Sequence, residues 1–168
     1  KIHLLAYDIT EAQHEEIQRV REDIYALAEY LDAEDIFHAV AHPFAAVNER
    51  LTLPHFEELL LLFKTFEING DHDAGVNASL RQVLAGLTAE EIARMSEARG
   101  IEPAFDHPWQ KHLVGGSDDH SSLNIARTYT EVVGHCAVPD FLEALTCGGS
   151  RIVNNPSSPR IMAHTIYS

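Results

Sequence analysis

Ile36-Phe37-His38-Ala39-Val40-Ala41-His42-Pro43 and Thr65-Phe66-Glu67-Ile68-Asn69-Gly70 are two short apolar runs that each end in polar residues and a chain-stopper. The first reads as a buried strand over Ile36 to Ala41, because Pro43 cannot donate to a sheet ladder. Alternation along that strand places His38, Val40 and His42 on one face. The second reads as a strand from Thr65 to Asn69, stopped by Gly70, with Glu67 and Asn69 sharing a face. Between and around these runs lie helix signals. Thr10-Glu11-Ala12-Gln13 is a capping box, and Ile17, Val20, Ile24, Leu27, Ala28 and Leu31 continue its apolar spacing. That spacing predicts one amphipathic helix over residues 11–32.

Pro54 opens a helix to about Phe63, another helix is expected near residues 77–86, and Thr88-Ala89-Glu90-Glu91 caps a helix ending at Arg99 before Gly100. Leu113 to Ser117 and Thr128 to Val133 read as strands, and Pro139 opens a helix to about Cys147. Asn154 to Pro159 is a turn-rich tail with a short helix after it. Strands alternating with helices predict an α/β architecture with a mostly parallel sheet, whose chemistry gathers at the C-terminal strand ends.

The bulk composition narrows the function classes. In 168 residues, 45% hydrophobic content supports one domain with a sizeable core, assigned to residues 1–153 with the tail at 154–168. A net charge of -14 argues against a nucleic-acid surface or adhesion to anionic membranes. No apolar run is long enough to span a bilayer, and the start of the chain lacks a signal-peptide pattern. A cytoplasmic protein with buried, reduced thiols at Cys136 and Cys147 is therefore expected.

Three strand ends carry metal-competent groups: His42, the Glu67/Asn69 pair, and Gly116-Ser117-Asp118-Asp119-His120. Imidazoles combined with few carboxylates suit Zn, Mn or Fe better than Ca or Mg. Ser117 lacks the glycine that would follow in a nucleophile elbow, and neither cysteine has an activating neighbour in sequence. Chemistry by an activated water thus fits better than a side-chain nucleophile. Glu67 reads as a partner of the ligands or a structural pair. Asp71-His72-Asp73 reads as a solvated loop, and Glu15, Glu16, Glu57 and Glu58 as solvated helix faces. The other histidines (38, 55, 72, 107, 112, 135 and 164) are assigned no role.

At Ala41-His42-Pro43 and Gly116-Ser117-Asp118-Asp119-His120 the sequence resembles the polymerase and histidinol phosphatase (PHP) superfamily. Ile2-His3-Leu4-Leu5-Ala6-Tyr7 and Phe66-Glu67-Ile68-Asn69 are similar to further strands of that family, in the same order. Leu51 to Phe56 and Arg127 to Glu131 resemble its glycosyltransferase-associated subgroup. The resemblance implies the C-terminal portion of a distorted, TIM-like (β/α)7 barrel, a metal-dependent phosphoesterase with two or three Mn, Zn or Fe ions in the complete domain. It implies metal ligation by His3, His42, Asp118 and His120, with Asp118 and His120 also catalytic, and hydrolysis of a small phosphorylated substrate by a metal-activated hydroxide. Arg127, shortly after the motif, is the candidate phosphate contact, set against the more ordinary reading of an exposed or salt-bridged Arg. The family's opening His-x-His strand has no counterpart here, so further ligands are expected from a longer chain, further domains or a second copy. A related C–N bond hydrolase and a non-catalytic regulatory or assembly module are the alternatives.

Overall fold

The structure is a computed structural model, and it describes residues 2–44, 51–120, 122, 124–134, 137–155, 158 and 163. Its main sheet has the order β1 (Leu4–Ala6), β2 (His38–Val40), β3 (Thr65–Asn69), β4 (His112–Gly116). β1 runs antiparallel to β2, whereas β2, β3 and β4 are parallel. β5 (Thr128–Val132) and β6 (Ser150–Asn154) form a separate antiparallel pair. The protein is therefore mixed α/β, and the expectation of a mostly parallel sheet gives way to mixed pairing.

All five residues of β3 are buried, as a central strand covered on both faces requires. Phe66 and Ile68 face α3 (Leu53–Leu62) and α4 (Ala74–Ala85), packing with Phe56, Leu59, Leu80 and Leu84. The opposite face carries Ala39 and Val114 against Leu145 of α6 (Val138–Thr146). Leu27, Leu31 and Ile36 form a third, smaller cluster under the N-terminal helices.

The helix expected over residues 11–32 is two helices, α1 (Glu11–Val20) and α2 (Ile24–Ala33). Asp23 separates them, accepting hydrogen bonds from the Tyr25 and Ala26 amides at 2.9 and 3.3 Å. A carboxylate that captures free amides starts a new helix even where the apolar spacing continues through it. Asp73 acts similarly: it accepts from the Val76 amide at 2.9 Å, so α4 starts earlier than expected. The capping box at Thr88 and the left-handed Gly100 delimit α5 (Ala89–Arg99) as expected.

β2 stops at Val40, and His42 adopts a positive φ of 31°. The alternation invoked to align His42 with His38 ends before it reaches His42. β6 is an element the sequence does not announce; it lies between Gly148-Gly149 and the turn-rich tail, exposed or half-buried throughout, with too little apolar contrast to mark a strand. The helix expected after the tail lies outside the described residues but for Ala163, as do His135, Cys136 and His164. Cys147 is a free thiol but an exposed one, where the sequence predicts a buried thiol, because it caps the end of α6 on the surface. No helix among the described residues is long and apolar enough to cross a membrane.

Candidate metal centre at the strand ends

The C-terminal ends of β2, β3 and β4 converge, and β1 enters the same rim from its N-terminal end because it is antiparallel. This brings His3, 39 residues away in sequence, against His42. His3 Nδ1 and His42 Nε2 lie 2.9 Å apart, with the rings edge to face. Two nitrogens sharing one tetrahedral ion at about 2.05 Å would lie about 3.3 Å apart. The pair is thus close to the spacing of two ligands on one ion, and at 2.9 Å one ring donates to the other.

Behind the histidines stands a buried carboxylate. Glu67 is 5% exposed, and its Oε2 accepts from the His42 amide at 2.9 Å and from Asn69 Nδ2 at 3.1 Å. Asn69 Nδ2 also donates to Asp118 Oδ2 at 3.1 Å, while its Oδ1 accepts from the Asp71 amide at 2.8 Å. Both Asn69 amide protons therefore bridge two carboxylates that would otherwise repel. Asn77 on α4 completes the network, accepting from the Asn69 amide and donating to its carbonyl. Buried polar groups persist when every partner is supplied, and here one Asn joins both halves of the site.

Gly116 makes the close packing possible. A Cβ at that position would fall 1.9 Å from Glu67 Oε1. Past Gly116 the chain turns, and Asp118 adopts a φ of 49°. His120 Nδ1 donates to the Asp118 carbonyl at 2.9 Å, because a carbonyl can only accept. In the neutral ring that leaves the Nε2 lone pair available for a metal. His120 and Asp118 are exposed at the rim, whereas Asp119 turns aside and accepts from the Asn124 amide at 2.9 Å.

Of the expected site residues, the structure joins His3 to His42 and links His42 through Glu67 and Asn69 to Asp118. Among the described residues no group of three or more His, Cys, Asp or Glu is arranged to enclose a metal ion. By donor chemistry, imidazole nitrogens with carboxylate oxygens are of the kind that suits Zn, Mn or Fe. Arg127 is half-buried in the single 3-10 turn before β5, next to Thr128, which packs beside Gly70 and Ser117.

Asp71 and His72 are a correction to the sequence reading. They are half-buried and face the site instead of forming a solvated loop. Burial, then the Asp118 charge, raises the Asp71 carboxyl above its ordinary range. Burial and His42 push His72 down, opposed by Asp118, Glu67 and Asp71. Tyr7, beside the start of β2, feels the site's Glu67 from below: burial, with the Glu67 charge behind it, raises its phenol to about 12, so it stays protonated. The usable signal for Asp71 and His72 is their place directly after β3, on the same rim as His42 and Asp118. Glu57 and Glu58, expected on solvated faces, are half-buried: Glu57 pairs with Arg99 at 2.9 Å, and Glu58 accepts from Tyr25.

No family model, curated protein or solved structure matches this chain.

Proposed function

We propose that the strand-end site belongs to a metal-dependent phosphoesterase of PHP-barrel type, hydrolysing a small phosphorylated substrate. The observation that carries the reading is the continuous path His3–His42–Glu67–Asn69–Asp118, which links residues from all four strands or their ends. His3 and His42 would hold an ion through ring nitrogens, and Asp118 and His120 would hold ions through a carboxylate oxygen and Nε2. Divalent ions so held supply an acidified water and neutralise charge on phosphoryl oxygens.

The remaining groups position and balance. Glu67 anchors the His42 main chain, so the imidazole leaves the sheet at a defined angle. Asn69 sets the Asp118 carboxylate and separates it from Glu67. Arg127 is the candidate contact for a phosphoryl oxygen, since its guanidinium can donate two parallel hydrogen bonds.

Metal content by plasma mass spectrometry, beside phosphate-ester turnover with Mn and with Zn, tests this reading. His42→Ala and Asp118→Ala are each expected to lose bound metal and to reduce turnover by about 100-fold or more. Stoichiometric metal in folded Asp118→Ala, or inactivity of metal-loaded wild type across a broad phosphate-ester panel, would overturn it.

A further inference from the structure

The opposite end of the same sheet holds a cavity of about 650 Å³, within the size range of small-molecule sites. It opens where β2, β3 and β4 begin, away from His42 and Asp118, and Leu142 and Thr146 of α6 form one wall. Its lining divides sharply. Tyr7, Phe37, Phe105 and Leu142 give an apolar, aromatic interior. Asp8, Asp32, Glu34, Asp35 and Glu143 stand around its mouth against a single ammonium, Lys64.

Acidity alone would describe much of this protein's surface. Thr65 supplies an independent observation. It is 4% exposed and lines the cavity, on the same strand face as Glu67. Its hydroxyl has no hydrogen-bond partner among the described residues, unlike Asn69 two turns of the pleat away. The Thr65 oxygen is not among the buried side-chain atoms that lack a partner, so it is open to the cavity, where a water or a ligand atom can meet it. His112, the cavity-lining residue paired with Thr65 across the sheet, is driven toward its neutral form by burial and by Lys64 and Lys111, so it adds little positive charge. The interior therefore offers a neutral hydroxyl and aromatic faces, and the mouth offers negative charge.

We infer that this cavity binds an organic cation, an ammonium or guanidinium carried on an apolar body, at a site separate from the strand-end centre. The apolar body packs among Phe37, Phe105 and Leu142, a polar atom on that body meets Thr65, and the cationic head sits at the carboxylate mouth. Aromatic rings favour a cation in addition to the carboxylates, whereas a carboxylate or phosphate ligand would meet five like charges.

The probe is 4-phenylbutylamine, compared with 4-phenylbutanoate, which keeps the body and reverses the head charge. Calorimetric titration of the full chain, with amide chemical shifts mapped by NMR, should give saturable binding of the amine, with shifts grouped around Phe37, Phe105 and Leu142. The butanoate should not bind. Asp32→Asn with Glu143→Gln should weaken the amine by about tenfold or more, equivalent to about 1.4 kcal/mol. Leu142→Trp, which fills the cavity, should abolish binding. Circular dichroism identifies any variant that fails to fold, and the paired charge variant then decides alone, because both its sites are exposed. Metal content should be unchanged in the charge variant, which separates this outcome from that of the strand-end centre. Equal binding of the butanoate, amine binding unaffected by the charge variant, or no saturable amine binding at millimolar concentration would each overturn the assignment.

Discussion

The two ends of the four-stranded sheet treat buried polarity in opposite ways. At the C-terminal ends, Glu67, Asn69, Asp118 and Asn77 satisfy one another in a closed network that leaves imidazoles and a carboxylate at the rim. At the N-terminal ends, Thr65 faces an open cavity without a partner, and Lys111 is drawn inward beneath the sheet. The contrast teaches that burial alone does not mark a site. A satisfied network holds groups in place for chemistry, and an unsatisfied group leaves a position for something else to occupy.

The network end is broken most severely at Asn69. Asn69→Ala removes two donors shared by two carboxylates and the acceptor for the Asp71 amide, at a residue that is fully buried. Leaving Glu67 buried with fewer donors predicts a loss of about 3 kcal/mol in urea unfolding, with metal content falling too. A loss under about 1 kcal/mol would mean that the network is replaceable by water.

At the other end, Lys111 gives the next largest effect. Its Nζ donates to the Leu60 and Phe63 carbonyls, at the end of α3, and lies 4.6 Å from the Phe105 ring centroid. Burial, with Lys64 nearby, lowers its pKa from 10.5 to about 7. A neutral amine still has two N–H bonds for those two carbonyls. Above about pH 7 the folded form releases a proton that the unfolded chain keeps until about pH 10.5, so stability rises as pH climbs between those values. Each pH unit between the two values is worth at most roughly 1.4 kcal/mol, and the carbonyls and rings offset part of it, so a gain of about 2 kcal/mol is expected. Tyr7 sets the upper limit: its folded value of about 12 costs stability once the unfolded phenol ionises above about pH 10. Lys111→Met should flatten the rise, measured by urea midpoints across this range.

The sequence made the alternation of elements readable, because caps, prolines and apolar spacing are local signals. Thr88, Gly100, Pro54 and the Thr65–Asn69 strand follow from a few adjacent residues. What local spacing could not supply was competition and distance. Asp23 interrupts a helix whose apolar stripe runs on, and β6 has a partner but little pattern of its own. At the site, His42, Asp118 and His120 stand out as residue types at strand ends. The His3–His42 contact and the Asn69 bridge depend on which strands become neighbours. Asp71 and His72 escape a local reading for the same reason: their sequence has the composition of a loop, and only the folded sheet turns that loop inward.

A smaller break at the network end comes from Gly116→Ala. The added methyl overlaps Glu67 Oε1 and would lie 3.0 Å from its Cδ, and Glu67 cannot swing freely because Oε2 is held twice. Overpacking of this kind predicts a loss of about 1.5 kcal/mol and displacement of the His42 main chain through its bond to Glu67. Thermal unfolding beside metal titration checks both parts, and an unchanged metal affinity would show that Glu67 relaxes without moving His42.

The smallest effect sharpens the comparison most, because its sign differs between the two ends. Thr65→Val keeps shape and β-branching while exchanging the hydroxyl for a methyl. If Thr65 belonged to a satisfied network as Asn69 does, the change would cost about 1 kcal/mol. With no partner for the hydroxyl among the described residues and its oxygen open to the cavity, exchanging it for a methyl breaks no protein hydrogen bond, so stability should be unchanged or higher by about 0.5 kcal/mol. The same substitution leaves the mouth carboxylates untouched, so the amine should still bind, less tightly only by what the hydroxyl contributes. A clear destabilisation of the ligand-free protein would mean that Thr65 already has its partner, and the two ends of the sheet would then obey one rule instead of two.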